Sequence, residues 1–260
     1  RSIAATKDAI FILAVGNPAK LIKIDKKSLQ ETIVYQEENE KVFYDSMQFV
    51  DNLNGFAMGD PTEDCLSFIK TTDGGNSWEK ISCANFPKVS EGEAAFATSN
   101  TNLIVKGKSI FMVSGGKKSR VFVSHDFGTS WQVYETPIVQ GEEMTGIFTA
   151  DFYNDKTGII AGGNYLKQTQ NWSNKAITTN GGKTWNLIAE NEAFGYASCV
   201  QFVPNSKAKQ LISVGGTGMF YSSDFGKSWT KFSDDKDFYT FRFESEKVFY
   251  ATGRNKLVRF

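Results

Sequence analysis

The chain of 260 residues has one histidine, His125, and only five prolines. His125 sits at a free position of a turn motif described below. It leaves no second imidazole for a His-based zinc site and no base for a Ser-His-Asp triad. With so little proline, and no stretch rich in Ser, Pro and Gly, nothing marks a linker, and residues 1–260 read as a single domain. Lys plus Arg equals Asp plus Glu at 29 each, and no basic run exceeds Lys117-Lys118. That excludes the basic stripe of a DNA or RNA binder. The longest apolar run, Ala9 to Val15, has strand length and is far short of a membrane span. Phosphate loops are imitated at Gly182-Lys-Thr184 and Gly226-Lys-Ser228, but Ile177 and Tyr221 stand where the first glycine belongs. No dinucleotide fingerprint opens a helix, and Gly215-Gly-Thr-Gly218 reads as a loop. No cofactor and no metal site is expected.

Aromatic residues are plentiful, with 22 Phe, 9 Tyr and 5 Trp, enough for a large core. An octapeptide recurs four times: Thr71 to Trp78, Ser124 to Trp131, Thr178 to Trp185 and Ser222 to Trp229. Its pattern is Ser/Thr-x-Asp-x-Gly-x-Ser/Thr-Trp, with Asp73, Asp126, Asn180 and Asp224 at the acidic position. The carboxylate or amide accepts N–H bonds within its own turn, glycine permits positive φ, and Trp78, Trp131, Trp185 and Trp229 each lay an apolar face over the junction. The acidic positions lie 53, 54 and 44 residues apart, room for four short strands per unit. A degenerate copy, Lys23-Ile-Asp25-Lys-Lys-Ser28, precedes them.

A second repeat has the same period. β-rich runs end in glycine at Gly16, Gly59, Gly115, Gly162, Gly215 and Gly253. Ten residues before most of these glycines an apolar position recurs (Phe49, Val105, Phe152, Phe243), and Phe202 serves in the longer fifth unit. Each unit therefore reads as strand a, turn, strand b ending in Gly, loop, strand c, box turn, strand d. Units of this kind close radially. The fold predicted is all-β: a β-propeller of four-stranded antiparallel blades, six of them represented here in part or whole. The sixth unit ends after three strands. Its fourth is expected from the N-terminal side, either as one strand or as a blade plus a strand, for an intact ring of six or seven.

Cys65 and Cys83 flank the turn at Asp73–Asn76 almost symmetrically. They form either a cross-strand disulfide or a pair of small hydrophobes on one hairpin. The disulfide would place the protein in an oxidising, exported setting, the periplasm or cell surface. Cys199 reads as an inert buried thiol.

The boxes resemble the Asp-box (BNR) repeats of sialidases, sortilin-type receptors and the Ycf48/Hcf136-like assembly factors. Met58-Gly-Asp-Pro61, Gly92-Glu-Ala-Ala-Phe96 and Gly162-Gly-Asn-Tyr165 are similar to a bacterial, Bacteroidetes-type group of Ycf48-like propellers. The resemblance runs over the whole chain, implies the fold, and leaves the chemistry open. It favours a non-catalytic binding or assembly scaffold, acting as a monomer on a protein, peptide or glycan ligand.

The alternative is a glycan hydrolase of sialidase-like type. Sialidase chemistry needs three convergent arginines, a Tyr–Glu pair and an acid. The five arginines include Arg1, in an Arg-Ser-Ile similar to the sialidase Arg-Ile-Pro, with Arg120 and Arg242; Glu93, Tyr165 and Tyr196 are candidates for the pair. Asp-boxes face away from the usual propeller site, so binding is expected on the opposite face, in the b–c and d–a loops. The b–c loop Asp60-Pro-Thr-Glu-Asp64 departs most from the repeat. Connections between units carry Glu91, Glu93, Glu142 and Glu143. Just before the repeated apolar residue of strand a stand Gln48, Ile104, Asp151, Gln201 and Arg242. The site expected is one polar funnel of Asp60, Glu93, Arg120, Asp151, Tyr165 and Arg242; the competing reading is a solvated rim with structural ion pairs.

Overall fold

The computed structural model describes residues 2–97 and 99–260. Its strands form six sheets, the blades of a six-bladed β-propeller. Blade 1 is β1 (Ser2–Ala5), β2 (Ala9–Leu13), β3 (Ala19–Asp25) and β4 (Glu31–Glu37). Blade 2 is β5 (Tyr44–Phe49), β6 (Gly55–Gly59), β7 (Ser67–Thr71) and β8 (Glu79–Lys80). A short strand β9 (Glu93–Ala94) precedes blade 3, which is β10 (Leu103–Lys106), β11 (Ser109–Val113), β13 (Arg120–Ser124) and β14 (Gln132–Glu135), with β12 (Gly115–Gly116) set between β11 and β13 in the chain. Blade 4 is β15 (Thr145–Phe152), β16 (Gly158–Asn164), β17 (Lys175–Thr178) and β18 (Asn186–Leu187). Blade 5 is β19 (Ala197–Phe202), β20 (Leu211–Gly215), β21 (Gly218–Ser222) and β22 (Thr230–Ser233). Blade 6 has three strands, β23 (Phe238–Phe243), β24 (Phe249–Gly253) and β25 (Lys256–Arg259). All pairings are antiparallel, and β12 and β9 extend the blade 4 sheet at its inner edge.

All four boxes occupy turns between strands c and d, at β7–β8, β13–β14, β17–β18 and β21–β22. In the first, Asp73 Oδ1 accepts Asn76 N at 2.9 Å and Ser77 N at 3.1 Å, while Ser77 Oγ donates to Oδ2 at 2.7 Å. Thr71 Oγ1 accepts Gly75 N at 3.0 Å. A Cβ on Gly75 would stand 2.3 Å from the Phe11 ring of blade 1, so the box glycine also lets adjacent blades approach. The degenerate copy behaves alike, with Asp25 Oδ1 accepting Lys27 N and Ser28 N. Burial alone would push the carboxyls of Asp73 and Asp126 up, but their hydrogen bonds prevail and hold both at about 2.

The core is a set of apolar clusters between consecutive blades. Trp131 illustrates the filling: its ring lies 5.2 Å from Phe68 and 4.7 Å from Phe86, both from blade 2 or the connection after it, and its Nε1 donates to Gly128 O. Cys65 and Cys83 sit just beyond the β7–β8 hairpin and are joined in a disulfide, with their Cα atoms 5.5 Å apart. Cys199 is buried.

The glycines ending strand b have a specific cause. In blades 2, 4, 5 and 6 strand a bulges opposite them, at Tyr44/Ser46, Ile147/Thr149, Ala197/Cys199 and Phe238/Thr240. The bulge brings strand a main chain onto strand b. A Cβ at Gly59, Gly162, Gly215 or Gly253 would stand 2.2, 2.0, 2.2 or 1.6 Å from the carbonyl oxygen of Phe43, Gly146, Tyr196 or Asp237, in strand a or the residue just before it. No other residue fits there.

Candidate functional site

Strands alternate in direction, so the a–b turns share a face with the boxes, while b–c and d–a connections lie on the other. Strand a thus starts at the loop face and ends at the box face. Asp151 and Arg242 are each one residue from the end of their strand and stand at the box-face mouth of the central channel. Asp60, Glu93, Arg120 and Tyr165 belong to the loop face. The six therefore do not form one funnel. The expectation went astray because a six-residue strand spans about 17–20 Å, which separates its two ends by most of the disc.

The two box-face residues are held by the scaffold. Asp151 Oδ2 accepts Phe202 N from blade 5 at 2.8 Å, and Lys106 Nζ lies 3.9 Å away. Burial pushes the Asp151 carboxyl up, opposed by Lys106, the N–H groups of Phe202 and Phe152, and Arg242. Gln48 acts in the same way at an earlier junction, accepting Val105 N at 2.8 Å. These side chains satisfy main-chain donors that strand a, as the inner edge of its sheet, leaves unpaired. Arg242 donates to Ser99 O at 2.7 Å and to Phe241 O at 2.7 Å.

Ser99 opens a segment to which the sequence analysis assigns no role. Ser99 O also accepts Thr240 Oγ1 of blade 6 at 3.2 Å. Asn100 Oδ1 accepts Ser2 Oγ of blade 1 at 2.7 Å and Met47 N of blade 2 at 2.9 Å. Thr101 O accepts Ala150 N of blade 4 at 2.8 Å, and Asn102 O accepts Val113 N of blade 3 at 3.0 Å. Four consecutive residues thus tie five blades together across the channel. The signal available was compositional: Ser99-Asn-Thr-Asn102 is all small and polar, suited to hydrogen bonding in a confined space.

On the loop face, Glu93 and Arg120 form a bidentate ion pair; the Glu93 side chain is fully buried and that of Arg120 is 14% exposed. Ser114 Oγ and Ser90 N also donate to Glu93, and Arg120 Nη2 reaches Lys88 O. With Glu93 buried and both its oxygens accepting two donors each, the pair is structural. Asp60 Oδ1 accepts Ala95 N at 2.9 Å, and burial pushes its carboxyl up to about 6 against that bond.

Beyond Ala95 a cavity of about 650 Å³ opens at the loop-face mouth. Of the six predicted residues it takes only Tyr165. One wall is aromatic: Phe96 stacks on Phe148 at 3.9 Å, and Tyr196 meets Phe148 at 4.8 Å and Tyr165 at 5.2 Å, edge to face. Phe43, Phe238 and Tyr239 also line it, with Lys236, Asp237 and Gln168. The bulge residues Asp45, Phe148, Ser198 and Tyr239 all line this cavity. Bulges re-aim side chains, and here they turn one residue per blade into the channel. Asp45, Phe148 and Tyr239 stand fourteen residues before Gly59, Gly162 and Gly253, so the signal was present in the glycine repeat. Among the described residues no cluster suits a metal ion, and no helix is long and apolar enough to cross a membrane. Arg1, a candidate for the sialidase arginines, lies outside the described residues. Arg120 and Arg242 stand on opposite faces and do not converge.

The BNR/Asp-box repeat family matches at residues 220–231, the fourth box. Among curated proteins none matches this chain in sequence. Among solved structures it is similar to YCF48 bound to D1 peptide, at 15% identity and a TM-score of 0.54, over 100% of this chain and 92% of that one. YCF48 from Cyanidioschyzon merolae is similar at 11% identity and a TM-score of 0.52, over 99% and 93%. The GH74 enzyme of Niastella koreensis is similar at 12% identity and a TM-score of 0.60, over 99% of this chain but 51% of that one. At these identities the likeness is one of fold.

Proposed function

We propose that this chain is a non-catalytic binding scaffold, which takes an extended peptide of a partner protein into the aromatic cavity at the loop-face mouth. The observation that carries the reading is the cavity itself: rings from blades 4 and 6, from the connections entering blades 2 and 5, and from the segment before blade 3 surround a space of about 650 Å³. Aromatic anchors in pre-formed pockets supply most of the energy in such interfaces. The Ycf48 fold bound to a D1 peptide is a precedent for this use of the fold. Glu93 and Arg120 shape the cavity's surroundings, Asp60 anchors Ala95 at its wall, and Tyr165 contacts the ligand. The scaffold acts as a monomer; its compartment is exported and oxidising, and for the compartment the Cys65–Cys83 disulfide is the support. Alkylation of the protein under acid quench from its own cells checks this: both thiols should resist the reagent until reduced.

A peptide array probed with the purified protein tests the main reading. Tyr165 and Tyr239 are 43% and 45% exposed, so replacing them by Ala should leave folding intact. Binding to positive peptides should weaken at least tenfold in each variant. A second reading, glycan hydrolysis, draws on the GH74 likeness and on two carboxylates, Asp45 and Asp237, lining the same cavity. Turnover of aryl glycosides that stops in Asp45→Asn or Asp237→Asn, with no array binding, would replace the scaffold by the enzyme.

A further inference from the structure

The polar residues that stand just before the repeated apolar position of strand a gather at the box-face mouth, around a mostly polar cavity of about 430 Å³. Gln48, Asp151, Gln201 and Arg242 enter it from blades 2, 4, 5 and 6, and Lys106 from the end of β10 in blade 3. No residue of its wall is shared with the aromatic cavity of the loop face.

Some of these groups are spent on the fold. Gln48 Oε1 accepts Val105 N and Asp151 Oδ2 accepts Phe202 N, in each case the N–H of the apolar strand a residue in the next blade. Asp151 Oδ1 accepts Phe152 N at 2.8 Å. Arg242 spends Nη1 and Nη2 on Thr240, Phe241, Ser99 and Asn100. Gln201 and Lys106 are not spent. The same pattern would have Gln201 Oε1 accept Phe243 N of blade 6. That bond is not made, and the oxygen is buried with no hydrogen-bond partner among the described residues. A buried acceptor left open is costly. Lys106 Nζ makes no hydrogen bond among the described residues, and its approach to Asp151 is long, at 3.9 Å. Lys106 and Arg242 against Asp151 alone leave the mouth with an excess of positive charge.

We propose that the box-face mouth is a second ligand site, for a small oxyanion that also carries a hydroxyl group, either a phosphate or a hydroxycarboxylate. The oxyanion pairs with the Lys106 ammonium in the field of Arg242, and the hydroxyl donates to Gln201 Oε1. Asp151 brings the two requirements to one place: its Oδ2 is bonded to the residue after Gln201, and its Oδ1 faces Lys106 Nζ. Its own charge is held by two main-chain N–H groups and outnumbered by the two cations. A cationic ligand would meet Lys106 and Arg242 at once. An oxyanion without a hydroxyl would leave Gln201 Oε1 unpaired, and a site built to hydrogen-bond a hydroxyl rejects the analogue that lacks it.

Amide chemical-shift titrations of the purified protein test this, with two pairs of probes at matched ionic strength: inorganic phosphate against sulfate, and tartrate against succinate. Phosphate or tartrate should give saturable shifts at the Gln201 side-chain amide and at Phe202 N–H, and whichever binds identifies the oxyanion. The partner without a hydroxyl should bind at least about tenfold more weakly. Lys106 is half-exposed and Gln201 gives Oε1 to no bond of the fold, so both variants should keep the wild-type spectrum elsewhere. Lys106→Met should weaken binding at least about tenfold, and Gln201→Leu should erase the preference for the hydroxyl. Tyr165→Ala, in the other cavity, should change neither. No saturable shift with phosphate or tartrate would overturn the proposal. So would equal binding within each pair, shifts scattered over surface lysines, or binding that survives Lys106→Met.

Discussion

Lys175 is fully buried at the start of strand c in blade 4, and among the described residues no carboxylate forms an ion pair with it. Its Nζ donates to Asn174 Oδ1 at 2.9 Å and Glu192 O at 3.0 Å and lies 4.9 Å from the Phe194 ring centre. Burial pulls its pKa down to about 8, more than Glu190 and Glu192 restore. The unfolded chain then binds the proton more tightly than the folded one, so stability rises with pH from about 8 toward the ordinary lysine value. The full difference is about 3 kcal/mol. Denaturant titrations between pH 7.5 and 10.5 should show this rise in the wild type and a flatter curve in Lys175→Met; parallel curves would reject it. The box aspartates have the opposite sign. Held at about 2 in the fold, Asp126 contributes stability that is present above the ordinary carboxylate value and lost as pH falls through about 2. Asp126→Asn should therefore lower Tm at neutral pH and merge with the wild type near pH 2. The turn is exposed and screened, so the loss should stay below about 1 kcal/mol.

The repeated element is a bulged a–b hairpin closed by a glycine, and its two halves were unequally legible. Gly59, Gly162, Gly215 and Gly253 announced themselves by spacing. The bulge residues of blades 2, 4 and 6 keep a constant offset from those glycines, but nothing marks them as bulges, because an extra residue in an antiparallel strand leaves no change of residue type, only a shift in which side chains face inward. Phe148 and Tyr239 look like ordinary strand residues until the register is known. Gly162→Ala should therefore do more than remove backbone freedom. Its Cβ would fall 2.0 Å from Gly146 O, so strand a must move, at a cost of about 3 kcal/mol or more. Thermal unfolding measures that cost, and an effect near that of an ordinary Gly→Ala in a strand would show that the bulge yields freely. The hairpin closed by Cys65–Cys83 gives a second check at this scale. The bridge spans 18 residues, so Cys65→Ser with Cys83→Ser should cost about 3 kcal/mol in the chain-entropy picture.

At the scale of the whole molecule, the boxes gave the c–d turns, the face and the blade period directly, because each box carries its own hydrogen bonds and needs no distant partner. The channel was not legible in the same way. Its contents depend on which of several polar loops turns inward, and Ser99–Asn102 does so by bonding to five blades at once. That segment separates two mouths that sequence reasoning had merged, and the separation makes a prediction. Arg242 and Asp151 belong to the box-face mouth and act on the scaffold, whereas Tyr165 and Tyr239 belong to the loop-face cavity. Arg242→Gln removes the donor to Ser99 O and should cost about 1–2 kcal/mol. Asp151→Asn keeps an acceptor for Phe202 N while sparing a buried charge, and should change stability by less than about 1 kcal/mol. Neither should alter peptide affinity more than about twofold, while Tyr165→Ala weakens it at least tenfold at nearly unchanged Tm. Parallel calorimetric titrations of the three variants decide the matter. If Arg242→Gln abolished binding while its fold survived, the ligand would have to reach through the channel, and the two mouths would be one site after all.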